Sequence, residues 1–274
     1  PPWVPDKAGP SILLLDDWNR ASIRIIKGIM QLLQDYGMVS WQLPEGCNIV
    51  LTGNPDEQDY LVTTVDQAIL TRIKHCTLKP DVKEWAVWAE KNKIDNRLIS
   101  WCLYQEEMMF GKERTNPRTL AEFGRYLRRI SSVEAQRDEV MMHAHGLLDE
   151  ETISAFVTFC TRKMEDVIDP WEILDGKKDV PERLEKLMNR DEPRIDILGV
   201  ICGRLYAVVV QDDCDPTKER INNFQKFITN EVIPEDMRHS LCFRIVADKD
   251  VNVKNQKWVL DNEVLKKQIM SMLR

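Results

Sequence analysis

The 274-residue chain has no Cys-x-x-Cys pair and no apolar run near the ~18 residues of a membrane helix. It also shows no basic-then-apolar opening, internal repeat or low-complexity segment. Each absence removes a class. Seven cysteines (Cys47, Cys76, Cys102, Cys160, Cys202, Cys214, Cys242) scattered singly argue against a disulfide framework and against a structural zinc site, and fit buried thiols in a reducing cytoplasm. A formal net charge of −7 disfavours a general nucleic-acid binder, although a local basic patch is compatible with it. The expectation is a soluble, cytoplasmic chain with no membrane contact. With 43% hydrophobic residues it can bury a sizeable core and divides into two or three units.

What the chain does contain begins at Ser11, where Ile12 to Leu15 run into Asp16, Asp17 and a helix-like pattern. Four apolar residues without polar alternation suit a strand buried on both faces, as in a parallel sheet covered by helices. Such a strand delivers its next residues to the carboxyl edge of the sheet, where ligands of open α/β folds bind. Asp16 would hold a metal through water and Asp17 would orient an attacking water; an apolar strand followed by a solvated turn or helix cap is the plainer alternative. A second apolar run, Cys47 to Gly53, ends in Asn54 and the chain-breaking Pro55. Adjacent strands would set Asp17 beside Asn54, whose amide can hold the lytic water against a γ-phosphate.

Residues 1 to about 165 resemble the second half of a MoxR-like AAA+ ATPase. The resembling pieces, in family order, are Pro2-Trp3-Val4-Pro5 and Gly9-Pro10 before the Walker B strand, Asn19-Arg20-Ala21, the helix Ile23 to Tyr36, and Leu43-Pro44-Glu45-Gly46. Gly53-Asn54-Pro55 follows as sensor 1, then Asp66 to Arg72, and Asn116-Pro117-Arg118-Thr119 opening a helix as sensor 2 does. The resemblance implies a partial P-loop NTPase parallel sheet (1–80) carrying Walker B, sensor 1 and an arginine finger. A helical lid (81–167) and a helical C-terminal extension (168–274) follow, so the fold class is α/β plus all-α. It further implies ATP and Mg²⁺, a hexameric ring, a protein client and a von Willebrand factor A domain partner. In the family an arginine at position 72 points toward a neighbour's nucleotide; the alternatives are a surface arginine paired with Asp66 or Glu57, and Arg20 and Lys74 are rivals for the finger. Arg118, projecting from a helix N-terminus whose free backbone donors suit a phosphate, would be the sensor 2 arginine. Otherwise it pairs with Glu122, one turn along.

Two departures stand out. The P-loop pattern Gly-x-x-x-x-Gly-Lys-[Ser/Thr] is missing: Gly111-Lys112 and Gly176-Lys177 have Glu106 and Trp171 where the earlier glycine belongs. This suits a fragment that binds ATP poorly by itself. The family's second Walker B acid is usually Glu, and Asp17 is one methylene shorter, which implies slow hydrolysis or ATP acting as a conformational clamp. The opposing function class is a nucleotide-independent binding module.

Elsewhere, periodicity predicts a hairpin-like segment at Trp41 to Leu43, a third strand at Ile73 to Leu78, a helix end at Gly37, and an inward helix face carrying Trp85, Trp88 and Ala89. Leu98, Ile99, Trp101, Cys102 and Leu103 form the core of the next helix. His143 and His145, two apart on a helix, do not face one metal. Ile195 to Val210, Ile221 to Val232 and Val264 to Leu273 read as helices, with strand ambiguity at Val208 to Val210 and Phe243 to Val246.

Overall fold

The computed structural model describes residues 4, 8–54, 67–110, 113–247, 253–260 and 266. Residues 55–66, the pair Gly111-Lys112, most of the stretch before Ser11 and nearly all of the last expected helix lie outside these residues. The chain divides into two compact units, Pro1–Leu78 and Lys79–Arg274.

The first unit is a small α/β layer. Strand β1 (Ser11–Leu15) is followed by a 3₁₀ turn at Trp18–Arg20 and by helix α1 (Ile23–Asp35); strands β2 (Gly37–Met38) and β3 (Trp41–Gln42), strand β4 (Cys47–Leu51) and helix α2 (Gln67–Leu70) come next. β1 and β4 pair in parallel, in register from Ser11 opposite Cys47 to Leu15 opposite Leu51. Parallel strands cannot be joined by a tight turn, and α1 is the crossover that lets them pair. Its Ile26, Ile29, Met30 and Leu33 pack with Leu15, Trp18, Leu51 and Ile69 on one face of the pair.

The other face is open, which corrects the expectation that β1 is buried on both sides: Ile12 is 71% and Leu14 54% exposed. Two strands and one crossover helix supply cover for a single face, and alternate residues of β1 and β4 point away from it. Two further corrections concern boundaries. Tyr36, at φ 50°, is the left-handed residue that ends α1, its N–H donating to the Leu32 carbonyl; Gly37 instead opens β2, where a Cβ would lie 2.8 Å from the Trp41 carbonyl oxygen. Ile73 to Leu78 form no strand: among the described residues no strand pairs with them and only Ile73 packs against the small core, while Leu78 is 91% exposed. The hairpin at Trp41 is present as the antiparallel β2–β3 pair.

The second unit is all helical. Its helices are α3 (Val82–Lys91), α4 (Asn96–Tyr104), α5 (Pro117–Leu127), α6 (Arg137–Leu147), α7 (Glu150–Arg162), α8 (Pro170–Leu174) and α9 (Val180–Met188). They are followed by α10 (Ile195–Val209), α11 (Lys218–Ile228), α12 (Glu235–Ala247) and α13 (Val253–Leu260). One hydrophobic core runs from Val82 to Val259. At its centre lies α10, apolar on nearly every face and therefore buried all round, packed against α3, α4, α8 and α12. Because α10 rests on α3 and α4, the segments read as lid and C-terminal extension share this core. The strand ambiguity at Val208 and at Phe243 resolves as helix.

Polar side chains fix helix ends and hold a buried cation. Asp81, Asp95, Asn116 and Thr217 accept backbone N–H groups at the starts of α3, α4, α5 and α11. Arg97 donates to both Asp95 oxygens and to the Leu127 and Ile130 carbonyls, tying α4 to the end of α5. Arg204, from α10, is held by Glu90 at 2.9 Å and Asp169 at 3.1 Å. Trp88 departs from the expected inward face and is 41% exposed, while Ala86 and Ala89 take the buried positions. Among the described residues, no helix is long and apolar enough to cross a membrane.

Candidate functional site

The carboxyl end of the β1–β4 pair carries the candidate site. The ladder continues past the strands, the Thr52 N–H donating to the Leu15 carbonyl at 3.1 Å and the Trp18 N–H to the Thr52 carbonyl at 3.0 Å. This register sets Asp16 and Asp17 beside Thr52, Gly53 and Asn54. The Thr52 hydroxyl donates to the Asp16 carboxylate and accepts the Asp17 N–H at 3.0 Å.

Asp17 sits in the left-handed region at φ 48° and ψ 37°, a conformation in which Asp is enriched among non-glycine residues. The chain thereby turns sharply at the end of β1, and both acids stay exposed. The Asn54 amide donates to Asp17 Oδ1 at 3.2 Å, and Arg20 lies 3.6 Å from Asp17 Oδ2. With both side chains about half exposed, that ion pair contributes little to stability.

Two residues that sequence reasoning did not assign to the site hold it together. Thr52 links the two acids. Asn19, buried at 7% exposure, donates from Nδ2 to the Asn54 carbonyl at 2.7 Å and accepts the Asn54 N–H on Oδ1 at 3.3 Å. The available signal was an amide embedded in the Asn19-Arg20-Ala21 run, where a merely solvated turn would not bury it.

The remaining site residues are placed elsewhere. Arg72 follows α2, exposed, and its guanidinium donates to the carbonyl of Ala68 in the preceding turn. Asp66 and Glu57, its alternative partners, lie outside the described residues; Arg20 is committed to Asp17, and Lys74 is exposed. Arg118 belongs to the second unit, exposed at the second position of α5. The capping asparagine is as expected, but the free backbone donors are not: the N–H groups of Arg118 and Thr119 both donate to Asn116 Oδ1, at 3.0 and 3.1 Å. An anion at this helix start would meet the Arg118 guanidinium with those two donors already spent. Among the described residues Arg118 forms no ion pair with Glu122.

Asp16 and Asp17 offer two acceptor carboxylates and Asn54 one amide on an exposed rim. Among the described residues no group of three or more His, Cys, Asp or Glu side chains could hold a metal by itself. Mg²⁺ takes one or two carboxylates together with water and phosphate oxygens, so the donor set fits an ion that arrives on a triphosphate and does not fit one held by protein alone. His143 is stacked on Tyr126 with ring centroids 3.7 Å apart. No family model, curated protein or solved structure matches this chain.

Proposed function

We propose that these residues belong to a MoxR-like AAA+ ATPase that couples ATP binding and hydrolysis to the remodelling of a protein client. A single observation carries the reading: a parallel strand pair brings Asp16, Asp17 and Asn54 to one rim, with the Asn54 amide 3.2 Å from the Asp17 carboxylate. That is the pairing a hydrolytic site needs between a group that accepts a proton from water and one that fixes the water's orientation. Asp16 would engage Mg²⁺, whose charge offsets that of the phosphates. Asp17 orients the attacking water and Asn54 holds it toward the γ-phosphate. Arg72 acts on a neighbouring subunit's nucleotide and Arg118 senses the phosphates. These 274 residues contain no Gly-x-x-x-x-Gly-Lys-[Ser/Thr] loop, so the activity is proposed for a polypeptide in which they are joined to one. A hexameric ring, a von Willebrand factor A domain partner and a cytoplasmic setting follow from the same family resemblance.

A second reading is favoured by the spent donors at the start of α5: a nucleotide-independent binding module in which these residues serve packing. Asp16→Ala separates the two. In a P-loop-bearing polypeptide containing this chain, it should abolish Mg²⁺-dependent phosphate release from ATP. A wild-type polypeptide that neither binds nor hydrolyses ATP would establish the binding module instead.

A further inference from the structure

Asn19 stands next to the acids but touches neither of their carboxylates in the described contacts; both of its polar groups are spent on the backbone of one residue, Asn54. Its Nδ2 donates to the Asn54 carbonyl at 2.7 Å and its Oδ1 accepts the Asn54 N–H at 3.3 Å. The reversed amide orientation would set an N–H against an N–H and oxygen against oxygen, so the assignment follows from the partners. β4 ends at Leu51, and among the described residues no strand neighbour meets the backbone at Asn54. A side-chain amide offers the same donor and acceptor as a peptide group and takes that neighbour's place.

Gly53 makes room for it. A Cβ at Gly53 would lie 2.8 Å from Asn19 Oδ1, 3.1 Å from its Cγ and 3.1 Å from Trp18 Nε1. Asn19 and Trp18 are both buried, so neither can swing into solvent without losing contacts. The requirement for glycine here is one of close approach.

We propose that Asn19 is a positioning residue: its amide clamps the Asn54 backbone so that the Asn54 side chain is held on Asp17. This rests on the reading of the rim as an ATP-hydrolysing site. A 1 Å misplacement of a positioned group can cost on the order of 100-fold in rate. The clamp therefore acts on turnover through Asn54 and leaves nucleotide binding alone.

The test has two arms. In the first, amide hydrogen exchange is followed in this chain without nucleotide. Asn19→Ala should accelerate exchange at the Asn54 N–H at least about tenfold while the Thr52 N–H, bonded to the Leu15 carbonyl, keeps its rate. Equal protection of Asn54 in wild type and variant overturns the clamp. In the second, ATP turnover is measured in the P-loop-bearing polypeptide. Asn19→Ala should lower kcat by about tenfold to 100-fold with KM for ATP unchanged, and should cause no further loss in an Asn54→Ala background. Additive losses, or a raised KM with unchanged kcat, overturn the positioning role. Asn19→Asp, which keeps the acceptor for the Asn54 N–H but loses the donor to the Asn54 carbonyl, should reproduce the turnover loss without faster exchange at the Asn54 N–H, and Gly53→Ala, which pushes on the amide from the far side, should give both changes. Both serve if Asn19→Ala does not fold. A wild-type polypeptide with no turnover removes the ATPase reading and the effect of Asn19 on turnover together, while the exchange arm still decides whether the clamp exists.

Discussion

The side-chain amide of Asn54 donates to the carboxylate of Asp17 across 3.2 Å, joining residues 37 positions apart at the end of two parallel strands. That contact depends on the strand register, on the left-handed turn at Asp17 and on the close approach that Gly53 permits. It is the geometric basis for the function proposed here.

Arg72 donates to the Ala68 carbonyl of its own turn. To serve a neighbouring subunit it must leave that carbonyl, a small cost for an exposed guanidinium. Arg72→Ala should reduce ATP turnover of the assembled ring by about 10³-fold or more. Activity should return in mixed rings where wild-type subunits supply the arginine to Arg72→Ala neighbours. If mixing never restores turnover, Arg72 does not act in trans.

Asn116 closes the start of α5 with two backbone hydrogen bonds, reciprocated by the Thr119 hydroxyl accepting the Asn116 N–H. Asn116→Ala should destabilise the helical unit by about 1 kcal/mol, read as a shift in the urea midpoint at constant slope. Arg118→Ala, at an exposed position, should leave that midpoint in place. A larger loss from Arg118 would mean that its guanidinium supports the fold.

Arg204 is 3% exposed on its side chain and lies between Glu90 and Asp169. Arg204→Ala leaves two carboxylates without their cation and should destabilise the protein by about 3–5 kcal/mol. Calorimetry or urea unfolding measures it. A loss below about 1 kcal/mol would show that the site collapses or admits water without difficulty.

The Asp149 carboxyl is pushed up by burial, but the hydroxyl and N–H of Thr115 and the N–H and charge of Arg114 outweigh this and hold it below the usual aspartate range. A lowered folded value means that the stabilisation is fully present above the unfolded value of about 3.9 and disappears as pH falls through the folded value. Asp149→Asn should therefore be less stable than wild type near neutral pH, and the difference should shrink in strong acid. Urea midpoints at the two extremes measure this, and a gap independent of pH would contradict the assignment.

Much of this was legible in the sequence because local chemistry and tertiary context agreed. The Ile12 to Leu15 run was a strand, Asn116-Pro117 opened a helix, and Leu98, Ile99, Trp101 and Cys102 were core, since each follows from spacing or capping alone. Ile73 to Leu78 misled because a short run with β-branched and apolar residues becomes a strand only when another strand is present to pair with it. Gly37 misled because a tight approach to Trp41 requires glycine as surely as a left-handed turn does, and Tyr36 took the turn. The Asn19 clamp stayed hidden because its partners are backbone groups, which every residue has. The spent donors at α5 stayed hidden for a related reason: a good cap and a good anion site begin with the same residues.

The most direct measurement compares ATP turnover and ATP affinity in wild-type and Asp17→Asn forms of a P-loop-bearing polypeptide containing this chain. Asp17→Asn should reduce turnover by about 10²-fold or more while the Kd for ATP stays within about a factor of two, since the proposed role of the carboxylate is to orient water and not to bind the nucleotide. Unchanged turnover, or affinity lost in step with turnover, would contradict the assignment of this rim as the site of hydrolysis.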